Sequence, residues 1–144
     1  MARILFVFTG VSLFIIFTPV ASFSADFNAE TKQFIRELET QAKMQDSSFE
    51  GFDPERGRKI FFDEVPNEKL GKISCTTCHN SDLKMSGKTL VGKSIDPLAP
   101  SVNKNSLTNV KKITKWLLRN FKQVYGREGD AKEKGDVLMF INTQ

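Results

Sequence analysis

Apolar residues recur at helical spacing in four places along the chain, each with charged residues between them. Phe34, Ile35, Leu38 and Ala42 stand among Glu30, Lys32, Arg36, Glu37, Glu39 and Lys43, which predicts an amphipathic helix from Phe27 to Gln45 that serves as a packing arm. Asp53 is a favoured N-cap and Pro54 a favoured first residue, so a second helix is expected from there to about Asp63. Thr108 can cap a third over Asn109 to about Asn120, with Val110, Ile113, Trp116 and Leu117 on one face. Asp130, with Glu133 three residues on, opens a last helix carrying Val137, Leu138, Phe140 and Ile141. No segment alternates with a two-residue period, so an all-α fold is expected.

Within this frame, Gly57 and Phe61 lie one turn apart on the second helix, a bare Cα beside a large ring. That is what a close helix crossing needs, and Phe140 of the last helix is the expected partner; the plainer reading is an incidental glycine. Val65 to Gly71, with Pro66, Asn67 and Gly71, reads as a loop. Residues 80 to 107 hold Gly87, Gly92, Pro97, Pro100 and many Ser and Asn, an irregular stretch of 28 residues that is long for a compact domain. A bound cofactor would give Leu83, Leu90, Val91, Ile95, Leu98 and Val102 a surface to cover.

The candidate for that cofactor lies just before the irregular stretch. Cys75-Thr76-Thr77-Cys78-His79 contains both cysteines and the single histidine of the chain. Two thiols at i and i+3 on one turn reach two vinyl groups on one porphyrin edge, and the adjacent imidazole points at the iron. This is the pattern of covalent c-type haem attachment. The competing readings fare worse. A thioredoxin-like pair wants a βαβ setting that Lys72-Ile73-Ser74 and Asn80-Ser81-Asp82 do not supply. A disulfide closing so small a loop constrains little. Zinc would need a fourth ligand. A carbonyl in the Pro97 to Pro100 segment is expected to accept a hydrogen bond from the second ring nitrogen of His79.

Charge and the N-terminus add a setting. Arg3 followed by an apolar run from Ile4 to Phe17, then Pro19 and small residues, is the order of a secretory signal peptide covering residues 1–24, cut after Ser24 or Ser22. The alternative is an uncleaved anchor, since the uncharged run from Ile4 to Ala25 has 22 residues. Either way the rest of the chain is expected outside the cytoplasm, in the periplasm. The remaining 120 residues suit one domain: a helical extension over 25–50 and a cofactor-bearing domain over 51–144. Net charge there is only +3, yet residues 80 to 122 hold nine basic and two acidic groups. An export signal with so modest a charge disfavours nucleic-acid binding.

The sixth position of the iron stays open on this evidence. Met85 lies only six residues past His79, Met139 falls among core positions of the last helix, and Met44 has no special claim.

Several runs are similar to those of one known family. Gly57-Arg58-Lys59-Ile60-Phe61-Phe62, the Cys75 to His79 motif, Gly92-Lys93-Ser94-Ile95-Asp96-Pro97-Leu98-Ala99-Pro100-Ser101-Val102-Asn103, Lys115-Trp116-Leu117-Leu118-Arg119-Asn120 and Gly126-Arg127-Glu128 resemble the sphaeroides haem protein (SHP) family of high-spin, oxygen-binding class I cytochromes c. The resemblance spans about residue 50 to the C-terminus. It implies a small class I cytochrome c fold around one covalent haem c with its iron, here with an extra N-terminal helix. His79 and Asn120 would be the metal ligands, Cys75 and Cys78 the attachment points, and Pro97, Leu98 and Trp116 would lie against the haem. In the family the asparagine releases on reduction and leaves the ferrous iron open to oxygen or nitric oxide. Members often carry a disulfide at the positions occupied here by Phe121 and Gly129.

The resulting expectation is an electron carrier or oxygen-binding haem protein rather than a dedicated enzyme. No second histidine or evident acid–base pair favours catalysis. Its expected partners are small diatomic ligands and an acidic redox protein, which the family suggests is a dihaem cytochrome c with a membrane cytochrome b nearby. The alternative is a plain six-coordinate carrier that binds no gas.

Overall fold

A computed structural model gives the structure of residues 26–144; the expected signal peptide lies outside the described residues. The four expected helices are present: α1 (Ala29–Gln45), α2 (Pro54–Phe62), α3 (Val110–Tyr125) and α4 (Ala131–Asn142). Two short antiparallel hairpins join them, β1 (Val65–Asn67) with β2 (Gly71–Ile73) and β3 (Gly87–Lys88) with β4 (Ser94–Ile95), so the fold is all-α with minor strand. None of the helices among the described residues is long and apolar enough to cross a membrane.

The helix starts follow from local chemistry. Asp53 caps α2 by accepting from the Glu55 amide at 2.7 Å, ahead of Pro54. Asp130 and Glu133 form a reciprocal capping box on α4, with bonds of 2.8 and 2.9 Å. The cap of α3 is Asn109, which accepts from the Lys112 amide at 2.8 Å, and not Thr108, whose hydroxyl donates instead to the Asn105 carbonyl at 2.8 Å. This helix also runs past the expected end at Asn120. Phe121 and Val124 continue the buried face of Ile113 and Leu117 for another turn, and Gly126, in the left-handed region at φ 69°, stops it.

The expected loop at Val65 to Gly71 is the first hairpin, paired Val65 to Ile73, Pro66 to Lys72 and Asn67 to Gly71. The Asn67 side chain accepts from the amides of Lys69 and Leu70 at 3.0 and 3.1 Å and folds the chain back on itself. Its effect is to present Ser74 and Cys75 at a fixed place.

One core holds all four helices. Leu38 and Ala42 of α1, Phe61 of α2, Ile113, Leu117 and Phe121 of α3, and Val137, Leu138, Phe140 and Ile141 of α4 are buried together. The expected arm is therefore part of the main core, with Phe34 and Ile35 packed at its edge. The closest crossing is α2 on α4: a Cβ placed on Gly57 would lie 2.0 Å from the Asp136 carbonyl oxygen and 2.9 Å from Phe140 Cβ. Phe61 and Phe140 meet there with ring centroids 5.5 Å apart, the pairing expected from their positions. Asp136, 1% exposed, accepts from Arg56 Nε at 2.9 Å, Arg56 Nη2 at 3.0 Å and the Asp53 amide at 2.7 Å, so the start of α2 is fixed to the middle of α4.

Candidate haem centre

After β2 the chain makes one tight turn, Cys75–Thr77, and the cysteine–histidine motif occupies it. Ser74 anchors the turn: its amide donates to Thr77 Oγ1 at 3.0 Å and its hydroxyl meets Thr76 Oγ1 at 2.6 Å. The His79 amide donates to the Cys75 carbonyl at 2.9 Å, which sets the two thiols and the imidazole on consecutive steps of one helical turn. The second hairpin is tied to the same motif, since the Lys88 amide donates to the Cys78 carbonyl at 2.8 Å.

Both thiols are free and half-buried. Burial, and secondarily the neighbouring Cys78, pushes the Cys75 thiol up to about 12, so it is a neutral thiol at physiological pH. Thiol–disulfide exchange needs the opposite, a thiolate stabilised near neutrality. Burial also lowers the pKa of His79, which keeps its imidazole in the neutral form that donates a lone pair to a metal. The Phe61 ring lies beside it at 5.9 Å between centroids.

From the opposite side comes α3. Asn120 Nδ2 lies 3.4 Å from His79 Nε2, bringing together two side chains 41 positions apart in sequence. At that length it is a marginal hydrogen bond, and it sets the amide of α3 against the ring nitrogen of His79. Trp116, one turn earlier on the same helix, is 50% exposed, with the Arg119 guanidinium 5.1 Å and the Lys115 ammonium 5.6 Å from its ring.

The Pro97 to Pro100 segment does not meet its expectation. The Pro97 carbonyl accepts from Asn103 Nδ2 at 2.7 Å, the Leu98 carbonyl accepts from the Ser106 hydroxyl, and the only ring hydrogen bond of His79 among the described residues is to Asn120. An asparagine six residues downstream reaches back to the Pro97 carbonyl and closes the segment on itself. Leu98 is half-buried against the core, and Pro97 is half-buried. The apolar set expected over the porphyrin divides. Leu83 enters the core, Ile95 is half-buried, and Leu90, Val91 and Val102 are exposed. Met44 and Met85 are exposed, and Met139 is half-buried on α4.

Tyr125 went unnoticed in the sequence. It is half-buried at the end of α3, its hydroxyl donates to the Ile60 carbonyl, and burial, followed by the proximity of Cys75, pushes its pKa up to about 12. As the chain's single tyrosine it carries no motif to announce it.

These residues fit a covalently held haem. Two free thiols stand on one turn beside a neutral imidazole, an amide on another helix converges on that imidazole, and an exposed Trp116 shares the amide's helix. Cys75 and Cys78 would hold the porphyrin edge and His79 the iron.

Comparison with known proteins agrees. The family described as "Domain of unknown function (DUF1924)" matches residues 47–141. The chain is 41% identical to cytochrome c-type protein SHP of Cereibacter sphaeroides over 92 residues, 64% of this chain and 71% of that protein. It is 31% identical to cytochrome c'' of Methylophilus methylotrophus over 88 residues, 60% of this chain and 61% of that one. The structure of oxidized SHP, described as an oxygen binding cytochrome c, superposes with a TM-score of 0.69 and 34% identity, covering 83% of this chain and all of that one. Oxidized cytochrome c'' superposes with a TM-score of 0.71 at 22% identity, covering 79% and 94%, a likeness of fold. The match over 47–141 and the identity across most of SHP settle the membership: this chain belongs to the SHP family, monohaem class I cytochromes c that carry haem c and its iron.

Proposed function

We propose that the protein is a periplasmic electron-carrying cytochrome c whose sixth ligand, Asn120, leaves on reduction and opens the ferrous haem to a diatomic gas such as oxygen or nitric oxide. The observation that carries this reading is the 3.4 Å approach of Asn120 to His79. The haem, when bound, supplies a one-electron iron centre with a position for a small ligand. The chain supplies the rest: His79 as the fixed donor, and Asn120 as a neutral amide, a weaker donor than imidazole or thioether and so one that can let go. SHP, 41% identical, is described as oxygen binding, which supports the same reading here. The signal-like pattern of residues 1–24 and the covalent haem support the periplasmic setting.

Asn120→Ala should leave the haem attached, because Cys75, Cys78 and His79 are untouched, while changing the ferric absorption spectrum. A ferric spectrum identical to the parent's would reject Asn120 as ligand.

The partner follows from charge. Every ion pair among the described residues uses a basic group outside 80–122, namely Lys32, Lys43, Arg56, Lys72, Arg127, Lys132 or Lys134. The nine basic groups within 80–122 form no ion pair among the described residues, although Lys115 and Arg119 lie over the Trp116 ring; they fall on the segment that follows His79 and includes Asn120. An acidic redox protein is the complementary surface; family resemblance suggests a dihaem cytochrome c, with a membrane cytochrome b behind it. Complementary charge acts chiefly on encounter rate, so the second-order rate of reduction by an acidic donor should fall about tenfold or more between low and physiological salt. Rates independent of salt would remove this partner from the account.

A further inference from the structure

Phe121 directly follows Asn120 and has no polar chemistry of its own, yet it is only 4% exposed. Its ring lies flush on Gly129: a Cβ at that glycine would come within 2.7 to 2.8 Å of three of its ring atoms. Gly129 immediately precedes the capping box that starts α4, and Arg127 grips Glu133 of that box with two bonds of 2.7 and 2.6 Å, so this seat is itself held. On its other side the ring meets Tyr125 at 5.6 Å, and the hydroxyl of Tyr125 is bonded to α2. Phe121 is thus wedged between α3 and the link to α4. Asn120 has no such support; among the described residues the hydrogen-bond contact of its side chain is the long one to His79.

We propose that Phe121, seated over Gly129, is a positioning residue that holds Asn120 at the iron in the ferric protein. The proposal rests on the reading of Asn120 as sixth ligand. A weak donor binds only when little freedom is lost on binding, and a wedged neighbour removes that freedom in advance. Because the helix backbone is rigid, Asn120 cannot withdraw its Cα without lifting the Phe121 ring off Gly129. Release on reduction is then a side-chain motion, while the backbone stays and the amide can return.

The test uses the haem-loaded protein with Phe121→Ala, Phe121→Leu and Gly129→Ala, each made in the parent and in an Asn120→Ala background, read by ferric spectrum, midpoint potential and thermal unfolding. A ligand held only by the ferric form favours that form, so weakening it raises the potential. Phe121→Ala should weaken the amide about tenfold and raise the potential by up to about 59 mV, the one-electron equivalent of a factor of ten. Gly129→Ala, which pushes the ring away, should shift it in the same direction, and Phe121→Leu should restore most of the parent value. In the Asn120→Ala background all three should leave the potential unmoved, even where they lower the unfolding temperature. An unchanged potential in the parent background, or an equal shift in both backgrounds, would overturn the role of Phe121. If Phe121→Ala does not fold, the leucine and Gly129 variants decide on the same criteria. Should Asn120→Ala alone leave the ferric spectrum unchanged, the ligand reading itself fails and this proposal with it.

Discussion

Protein carrying both Cys75→Ala and Cys78→Ala, exported through an intact maturation system, is expected to come out without covalent haem and to give no pyridine haemochrome signal. The two thiols are the chain's only cysteines, and the structure presents them free on one turn beside His79. Removing them removes every covalent attachment point for the porphyrin and leaves only what coordination by His79 and the proposed Asn120 can supply. The loss extends to the fold. Trp116, on the helix of Asn120, is half exposed in the protein alone, and a bound group that shields such surface stabilises the folded state it binds. The double variant should therefore also unfold at a clearly lower temperature. A red protein with parental haem content would contradict the assignment, as would recovery of a haem-free domain as stable as the parent.

The second large effect is on the helix crossing. Gly57→Val is expected to destabilise the domain by at least about 3 kcal/mol, a fall in unfolding temperature on the order of 10 °C. The reason is the nature of the obstacle. An added Cβ would sit 2.0 Å from the Asp136 carbonyl oxygen, a backbone atom inside α4 that cannot swing aside. Relief requires the helices to part, which separates Phe61 from Phe140 and disturbs the bonds from Arg56 and Asp53 to Asp136. The disturbance would reach the haem side, because Phe61 also touches the His79 ring. Gly57→Ala should show most of the effect. An unfolding temperature within a degree or two of the parent for either variant would mean that the crossing is looser than described.

These two sites were legible in the sequence for different reasons. The cysteine–histidine motif is its own signature, because covalent attachment demands those residue types at that spacing. Gly57 was legible only as a possibility, since a bare Cα on a helix acquires meaning when a partner is known, and Phe140 is the one large ring that the last helix offers it. Helix starts were readable wherever the cap is purely local, as at Asp53 with Pro54 and Asp130 with Glu133. They were misread where two polar residues compete: Thr108 satisfies its hydroxyl on Asn105, leaving the cap to Asn109. The end of α3 was misplaced because Phe121 and Val124 bury against residues distant in sequence, which continues the helix for tertiary reasons.

The site itself was less legible than the motif. A helical asparagine is an ordinary residue, and no local pattern marks Asn120; a family resemblance singled it out, and the fold sets it beside a histidine 41 positions away. The Pro97 carbonyl shows the reverse case. It accepts from Asn103, and among the described residues the ring of His79 is bonded to Asn120 instead. Pairing of that kind is decided by three-dimensional proximity, which spacing alone does not encode.

The account turns on whether reduction frees the iron of its outer ligand, and a single experiment addresses this: the absorption spectrum of the dithionite-reduced protein before and after admission of carbon monoxide. The account predicts a five-coordinate ferrous spectrum that changes at once when the gas is added. A six-coordinate ferrous spectrum that carbon monoxide leaves untouched would contradict it and identify the protein as a plain electron carrier.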